Sequence, residues 1–327
     1  MLSRVPFTLL VPSVALILLA LSRPHDEQPP PAEPAALTWR TLHRHSGEAR
    51  GFNGLGMVIA RARREGASIY GMSWGQLLRS EDGGASWTEP SEPRNAVDAA
   101  FGAHGLVLVS TQDRGKVSRS TDGGRTWRQI QTVADIPITT IALAGDVAFG
   151  LGFEFLLRST DAGESWSRID VPKVDFNDVT IRGRTVLVVG GAGLVMRSLD
   201  GGATWQTQWL PTHATLNAVA FADDSTVVIA GSGGTLLRST DVGASWVPVA
   251  SPTRVHLHGV AFTQDGQGLA VGQWGEAIRS TDRGGTWQRE RSGTRLHLMR
   301  VEAGPAGDFL VSGSREAIFS VAGGGPR

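Results

Sequence analysis

Residues 236–246 read LLRSTDVGASW, and five closely related stretches occur elsewhere in the chain. All six share the pattern Arg-Ser-x-Asp-x-Gly-x-x-Trp, and they lie at 77–87, 117–127, 156–166, 195–205, 236–246 and 277–287. Their tryptophans follow one another at intervals of 39 to 41 residues, which is a period typical of β-propeller blades. The repetition therefore predicts a ring of similar β-sheets.

Each repeat contains four short segments with the composition of β-strands. In one repeat these are NAVAF at 217–221, TVVIA at 226–230, TLLRS at 235–239 and SWVPV at 245–249, separated by turns rich in Asp, Gly and Ser. Small and β-branched residues suit the first segment to the crowded inner wall of a ring. Pro248 suits the fourth to an outer edge, where one amide needs no partner.

The two ends of the chain carry the halves of one further repeat. AIFSVAGGG at 317–325 keeps the serine and glycines but has Ala322 at the position of the aspartate, whereas TWRTLH at 38–43 resembles the TWRQIQ that follows a complete motif at 126–131. Pairing of these halves would remove the exposed sheet edges of an open array. We therefore predict an all-β, seven-bladed propeller of four-stranded antiparallel blades over residues 37–327, closed by the N-terminal strand.

The repeated motif has a structural use at every position. Its aspartate and serine lie in the turn between the third and fourth strands, where short oxygen-bearing side chains accept hydrogen bonds from backbone amides. Its tryptophan can bury a large ring against that turn. One carboxylate per turn is too few for calcium, which takes about six to eight oxygen ligands. We assign structural roles to Asp82, Asp122, Asp161, Asp200, Asp241, Asp282, Trp87, Trp127, Trp166, Trp205, Trp246 and Trp287, and we expect no catalytic residue, metal or cofactor.

Composition excludes several classes of partner and chemistry. The 327 residues include 31 Lys plus Arg and 31 Asp plus Glu, so no net charge favours nucleic acid. The chain has no cysteine, which excludes disulfides, thiolate metal sites and thiol nucleophiles.

The N-terminal segment has the pattern of an export signal or a membrane anchor. Arg4 precedes an apolar run at 5–21, and Ala20 and Ser22 are small residues suited to a cleavage site. The run is also nearly long enough to span a bilayer. Residues 1–22 are therefore either a cleaved signal peptide or a membrane anchor. Residues 23–36 form a proline-rich linker. We expect an exported protein, in the periplasm or a lumen, soluble or anchored by this segment.

One face of the predicted ring collects the starts of the inner strands and the turns between second and third strands. The strand starts are read as Asn53, Asn95, Thr139, Asn177, Asn217, His258 and Met299, and the turns as Trp74, Arg114, Phe153, Ala192, Gly233, Trp274 and Ser314. Exposed aromatic side chains on a rim indicate binding. The contact candidates are Trp74, Arg114, Phe153, Trp274, Asn95, Asn177, Asn217 and His258. The alternative is that the asparagines bond the local backbone and the aromatic rings pack on neighbouring blades.

Two further sets of polar residues have structural interpretations. The motif arginines Arg79, Arg119, Arg158, Arg197, Arg238 and Arg279 are expected to lay their stems over apolar neighbours and to bond a carbonyl or carboxylate. His256 and His258, like His43 and His45, alternate on a strand, but no further metal ligand is evident beside either pair.

The motif resembles the Asp-box (BNR) repeat, Ser-x-Asp-x-Gly-x-x-Trp, of sialidases and other propellers, in which the box is structural. With its LLRSTDGG-like boxes, its seven predicted units and its export, the chain is most similar to the photosystem II stability/assembly factor family over residues 37–327. That resemblance implies a non-enzymatic, monomeric scaffold that binds a membrane protein or complex under assembly. The chain departs from cyanobacterial relatives in lacking the cysteine that carries their lipid anchor.

The alternative function is an exo-acting glycosidase of the sialidase type, or a glycan-binding propeller. A sialidase needs a tyrosine nucleophile and an early Phe/Tyr-Arg-x-Pro motif, as that resemblance implies. Tyr70 is the only tyrosine, and no such motif occurs in the chain. We therefore favour the scaffold.

Overall fold

Nearly all regular structure in the described residues is β-strand. The computed structural model describes residues 37–43, 63–65, 68–73, 76–89, 91–304, 306–314 and 317–322. Residues Ala35–Arg327 form one compact unit. The predicted signal or anchor segment and the linker lie outside the described residues.

The strands are short and regularly spaced, as expected for β-branched runs bounded by Gly- and Asp-rich turns. In chain order they are β1 (Thr38–His43), β2 (Arg63–Glu65), β3 (Ser68–Ser73), β4 (Gln76–Ser80), β5 (Ala96–Phe101), β6 (Val107–Thr111), β7 (Lys116–Ser120), β8 (Arg128–Gln131), β9 (Thr140–Ala144), β10 (Val147–Gly152), β11 (Phe155–Ser159), β12 (Ser167–Ile169), β13 (Phe176–Arg182), β14 (Thr185–Gly190), β15 (Leu194–Ser198), β16 (Gln206–Trp209), β17 (Leu216–Phe221), β18 (Val227–Gly231), β19 (Leu236–Ser239), β20 (Val247–Pro248), β21 (Leu257–Phe262), β22 (Gly268–Gly272), β23 (Glu276–Ser280), β24 (Gln288–Arg291), β25 (Leu298–Ala303), β26 (Phe309–Gly313) and β27 (Ala317–Ala322).

The strands form six four-stranded antiparallel blades, so the prediction of seven four-stranded blades is wrong. The four-stranded blades are β5–β8, β9–β12, β13–β16, β17–β20, β21–β24 and β25–β27 with β1. Among the described residues β2, β3 and β4 form a smaller, three-stranded sheet. The all-β propeller class is as the repeats indicate, whereas the blade count is not.

Proline accounts for the missing outer strand among the described residues of the first repeat. Arg79 and Thr88 exchange one pair of backbone hydrogen bonds, of 2.9 and 2.7 Å, and the bridge does not extend into a strand. The sequence that follows, TEPSEPR at 88–94, contains two prolines, which bring no amide hydrogen to a strand ladder. In another blade Pro248 accompanies an outer strand, β20, of only two residues.

The N-terminal strand completes the last blade. β1 pairs with β27 in antiparallel register, with Trp39 opposite Val321 and Thr41 opposite Phe319. The ring of Trp39 packs edge-on against that of Phe319, with centroids 6.0 Å apart. The sequence prediction that the two chain ends share one sheet is therefore correct, and the edge of β27 is covered.

The first strands of neighbouring blades contact one another and form the wall of a central channel. Most carry a bulge near their start, for example between Phe176 and Asp178 in β13 and between Leu216 and Ala218 in β17. A bulge turns one side chain toward a new direction. These bulged residues lie at the mouth of the channel.

Inside each box the aspartate and serine satisfy the turn. In the box of β19 the Ser239 hydroxyl donates to Asp241 Oδ1 at 2.7 Å and accepts from the Gly243 amide at 2.8 Å, while Asp241 accepts from both the amide and the hydroxyl of Ser245. The same network recurs around Asp82, Asp122, Asp161, Asp200 and Asp282. The hydrogen-bonding capacity of the box is used within the turn.

Four of the six motif arginines connect their blade to the box of the next blade. In four blades the arginine Nε donates to the carbonyl of the residue after the next box aspartate, at 2.7 to 3.0 Å: Arg119 to Ala162, Arg158 to Gly201, Arg197 to Val242 and Arg238 to Arg283. The arginines thus act as inter-blade ties on the box face, which is the carbonyl bonding expected for them.

The residue after the box aspartate adopts a left-handed backbone, and Val242 does so with φ of 60°. A β-branched side chain is strained in this region, where glycine is not. We expect Val242→Gly to raise the free energy of unfolding by about 1 kcal/mol, measured by denaturant unfolding. Ala244→Gly, in the same turn but without a positive φ, should lower it by about 0.5–1 kcal/mol. A destabilised Val242→Gly variant would contradict this assignment of strain.

The lowered pKa values of the box aspartates make the stability of the fold depend on pH in acid. The Ser245 hydroxyl, then Ser239, lowers the pKa of Asp241 to about 2 from 3.8, and the corresponding hydroxyl bonds lower the pKa of Asp82, Asp122, Asp161 and Asp200. A lowered folded-state pKa stabilises the fold above the unfolded pKa, and that stabilisation is lost as the pH falls through the folded value. Urea unfolding midpoints should therefore hold from pH 7 to about 5 and fall steeply below pH 4. Asp241→Asn should make that fall shallower, and an unchanged slope would contradict the prediction.

Candidate functional site

A cavity of about 310 Å³ opens at the channel mouth on the face opposite the boxes. Its wall is made by residues at the starts of the inner strands, namely Thr139, Asn177, Asn217, His258 and Met299, and Phe153 lies at its rim. We call it the channel-mouth cavity. Five of the seven strand-start positions read from the sequence thus meet at one site.

An ion pair closes the floor of the channel-mouth cavity. Arg300 on β25 donates through Nη1 to Asp178 Oδ1 on β13 at 3.1 Å, and its Nη2 lies 3.3 Å from Thr140 Oγ1. Both charged side chains are largely buried, with 14% and 11% exposure. Asp178 Oδ2 also accepts from the Val219 amide at 3.0 Å. A second cavity, of about 350 Å³, is lined by both Asp178 and Arg300, and Arg300 also lines the channel-mouth cavity. The pair therefore lies between the two cavities.

The two asparagines of the wall use their amide groups to tie blades together. Asn177 Nδ2 donates to the Leu216 carbonyl at 2.9 Å and Asn217 Nδ2 donates to the Leu257 carbonyl at 2.8 Å. Both nitrogen atoms therefore bond the backbone of the next blade, not the local backbone that the alternative interpretation named. Each Oδ1 has no hydrogen-bond partner among the described residues and is available to a ligand.

His258 is half-buried in the same wall. Burial first, and then the nearby His256, His297 and Arg300, lower its pKa below the ordinary value. The imidazole is therefore neutral at pH 7 and can accept a hydrogen bond as well as donate one. It adds no charge to the cavity.

The sequence prediction that Asn95 lies at the channel mouth with Asn177 and Asn217 is wrong. This residue precedes β5, is exposed and has φ of 57°, while the bulge between Ala96 and Asp98 puts Val97 at the position of Asn217. The triplet Asn-Ala-Val occurs in both repeats, at 95–97 and 217–219, but two residues out of register. Sequence similarity alone selected the wrong residue. Asn53 and Trp74 lie outside the described residues.

Aromatic side chains stand exposed on the cavity face. Phe153 is 63% exposed and Trp274 67% exposed. Trp209, at the end of β16 beside the turn Gly191–Gly193, is exposed too, and the sequence reading did not single it out. The signal that could have found Trp209 is that ten tryptophans exceed six boxes by four. Arg114 is also exposed on this face.

Trp274 occupies a backbone position that two sister blades fill with small residues. It has φ of 61°, where the corresponding turns have Ala192 at 54° and Gly233 at 66°. A bulky side chain in the left-handed region costs about 1–2 kcal/mol. Its ring rests on His297, with centroids 4.6 Å apart. Trp274 is thus a large apolar side chain that is both exposed and held at a left-handed backbone position.

The described residues contain no group of three or more side chains placed to hold a metal ion. No helix in the described part of the chain has the length and apolar character needed to cross a membrane.

Tyr70 lies away from the channel-mouth cavity. It is 3% exposed, its ring packs on Phe101 with centroids 4.7 Å apart, and its hydroxyl donates to the carbonyl of Gly123, the residue after Asp122 in the next box. In this sheet the tyrosine takes the inter-blade bond that motif arginines make elsewhere.

Known proteins resemble this chain in sequence over part of its length and in fold over most of it. Residues 171–320 match the sequence family described as photosynthesis system II assembly factor YCF48. No curated protein sequence matches the chain. Among solved structures, "YCF48 bound to D1 peptide" is 16% identical with a TM-score of 0.68, over 88% of this chain and 97% of that one. YCF48 from Cyanidioschyzon merolae is 16% identical with a TM-score of 0.67, over 87% and 98%.

The same fold also supports enzymes. A streptogramin B lyase is 13% identical with a TM-score of 0.73, over 87% of this chain and 97% of that one. At such identities structural likeness establishes the fold and not the activity. The sequence match of residues 171–320 goes further, because it selects one family among the propellers. The family match over residues 171–320 and the fold shared with the YCF48 structures support the photosystem II assembly factor-like family of β-propellers, the resemblance that the Asp-box repeats indicate.

Proposed function

We propose that this protein is a non-enzymatic scaffold that binds a segment of a membrane protein on the cavity face during assembly of a membrane complex. The observation that carries the proposal is Trp274, which is exposed and strained beside the channel-mouth cavity. The likeness to a YCF48 structure with a bound D1 peptide supports a peptide segment as the ligand.

Two features of this face support a peptide ligand. Exposed Phe153 and Trp274 offer apolar contact area, and the asparagine oxygens at the channel mouth offer acceptors to backbone or side-chain donors. The box aspartates are fully engaged in their own turns. The scaffold is exported and works in the periplasm or a lumen, at a membrane surface.

The glycosidase alternative has less support. Its required nucleophile, Tyr70, is buried and donates its hydroxyl hydrogen to a backbone carbonyl. A nucleophile needs a base and access to substrate, and Tyr70 is enclosed by Phe101 and Arg79.

Capture from native membranes tests the scaffold proposal. The full-length tagged chain, added to gently solubilised membranes of its source, should recover a membrane protein in stoichiometric amount. A hydrolysis assay with a fluorogenic sialoside should show no turnover. Turnover that is lost in Tyr70→Phe, with no membrane protein recovered, would replace the scaffold by the enzyme.

A further inference from the structure

The channel-mouth cavity has the chemistry of a site for one positively charged side chain. We propose that it binds a lysine or arginine side chain of the partner segment. This inference rests on the proposed function, since it names the chemical group by which that segment enters the ring.

The floor of the cavity contributes no net charge. Arg300 is the only cation among the lining residues, and it is held 3.1 Å from the Asp178 carboxylate. A second anion would have to compete with Asp178 for the buried guanidinium. The pair is also fixed by the Val219 amide and by Thr140, so the competition would break several bonds at once.

The wall of the cavity is rich in acceptors. Because Asn177 and Asn217 donate their amide hydrogens to the Leu216 and Leu257 carbonyls, the Oδ1 atom of each is left for a ligand. Thr139 donates its hydroxyl to the Leu151 carbonyl at 3.2 Å, which leaves its lone pairs as acceptors. A ligand with several N–H groups fits these partners, as an ammonium or guanidinium does.

The rim supplies a charge of the right sign. Asp175 lines the cavity and is exposed, and no cation of the described residues lies within ion-pair distance of its carboxylate. The backbone of Asp175 bridges that of Phe153, so the carboxylate and the exposed ring are neighbours across two blades. An aromatic face beside a carboxylate is a favourable environment for a cation whose aliphatic stem lies on the ring.

Peptide binding to the full-length chain in mild detergent tests the inference. The probes are acetyl-Gly-Gly-Xaa-Gly-Gly-amide peptides with Lys, Arg, norleucine or Glu at Xaa, titrated by calorimetry or NMR. We expect the Lys and Arg peptides to bind at least about tenfold more tightly than the norleucine and Glu peptides.

Two matched variants locate the binding. Asp175→Asn should lower the affinity for the Lys peptide by about tenfold. Asp170→Asn removes an exposed carboxylate of the same loop, outside the cavity lining, and should leave the affinity for the Lys peptide unchanged. Preferred binding of the Glu peptide, equal loss in both variants, or no binding of the Lys peptide would overturn the inference. The scaffold proposal fails separately, if membranes yield no partner while the Lys peptide still binds.

Discussion

Replacing Asp178 with alanine is expected to lower the free energy of unfolding by about 3–5 kcal/mol. The substitution leaves the Arg300 guanidinium buried without its carboxylate and leaves the Val219 amide without its acceptor. An uncompensated buried charge is among the costliest defects that one substitution can create. Urea or guanidinium unfolding of the variant and the wild-type protein measures the difference.

Two control variants show whether the loss of stability comes from the broken ion pair or from a general sensitivity of the β13 region to substitution. Asp175→Ala, three residues earlier and exposed, should change stability by less than about 0.5 kcal/mol. The double variant Asp178→Ala with Arg300→Met should recover most of the loss, because the unpaired charge is then absent. An Asp178→Ala protein within about 1 kcal/mol of wild type would show that the pair does not hold the ring together.

Trp274→Gly is expected to separate binding from stability. Glycine matches Gly233 of the preceding blade and relieves the left-handed strain, while the contact with His297 is lost. These terms nearly cancel, so the free energy of unfolding should change by less than about 1 kcal/mol. Affinity for the captured membrane protein should fall by about 2 kcal/mol or more, which is roughly thirtyfold.

The comparison variant for Trp274 is Leu199→Ser. Leu199 is an exposed apolar residue of the box face, so its replacement removes a similar exposed surface on the side away from the cavity. Surface plasmon resonance with the captured partner should give wild-type affinity for Leu199→Ser. An unchanged affinity in Trp274→Gly, with both variants folded, would remove Trp274 from the binding surface.

Local chemistry made much of the fold predictable. The box network joins residues within nine positions of one another, so one repeat contains all the information for its turn, and six repeats predict a ring. The pairing of β1 with β27 was also readable, because the two chain ends carry complementary halves of one repeat. The prediction of seven four-stranded blades was wrong at the first repeat, where Pro90 and Pro93 follow Thr88. These prolines are a local exception inside a regular repeat.

The site was predictable only where its residues repeat. Asn177, Asn217 and His258 were found as a series, and Asn95 was misplaced by an identical triplet in another register. The pair of Arg300 and Asp178 joins strands 122 residues apart in sequence, and nothing within a single repeat signals such a contact. Asp175 and Trp209 each occur once, so no periodicity marked them.

Site-specific photocrosslinking tests the scaffold claim most directly. A photoreactive amino acid replaces Phe153 on the cavity face in one full-length protein and Leu199 on the box face in another, and each is irradiated in native membranes. The account predicts a defined adduct with one membrane protein from position 153 and none from position 199. Equal adducts from both positions, or none from position 153 while the chain remains folded, would contradict it.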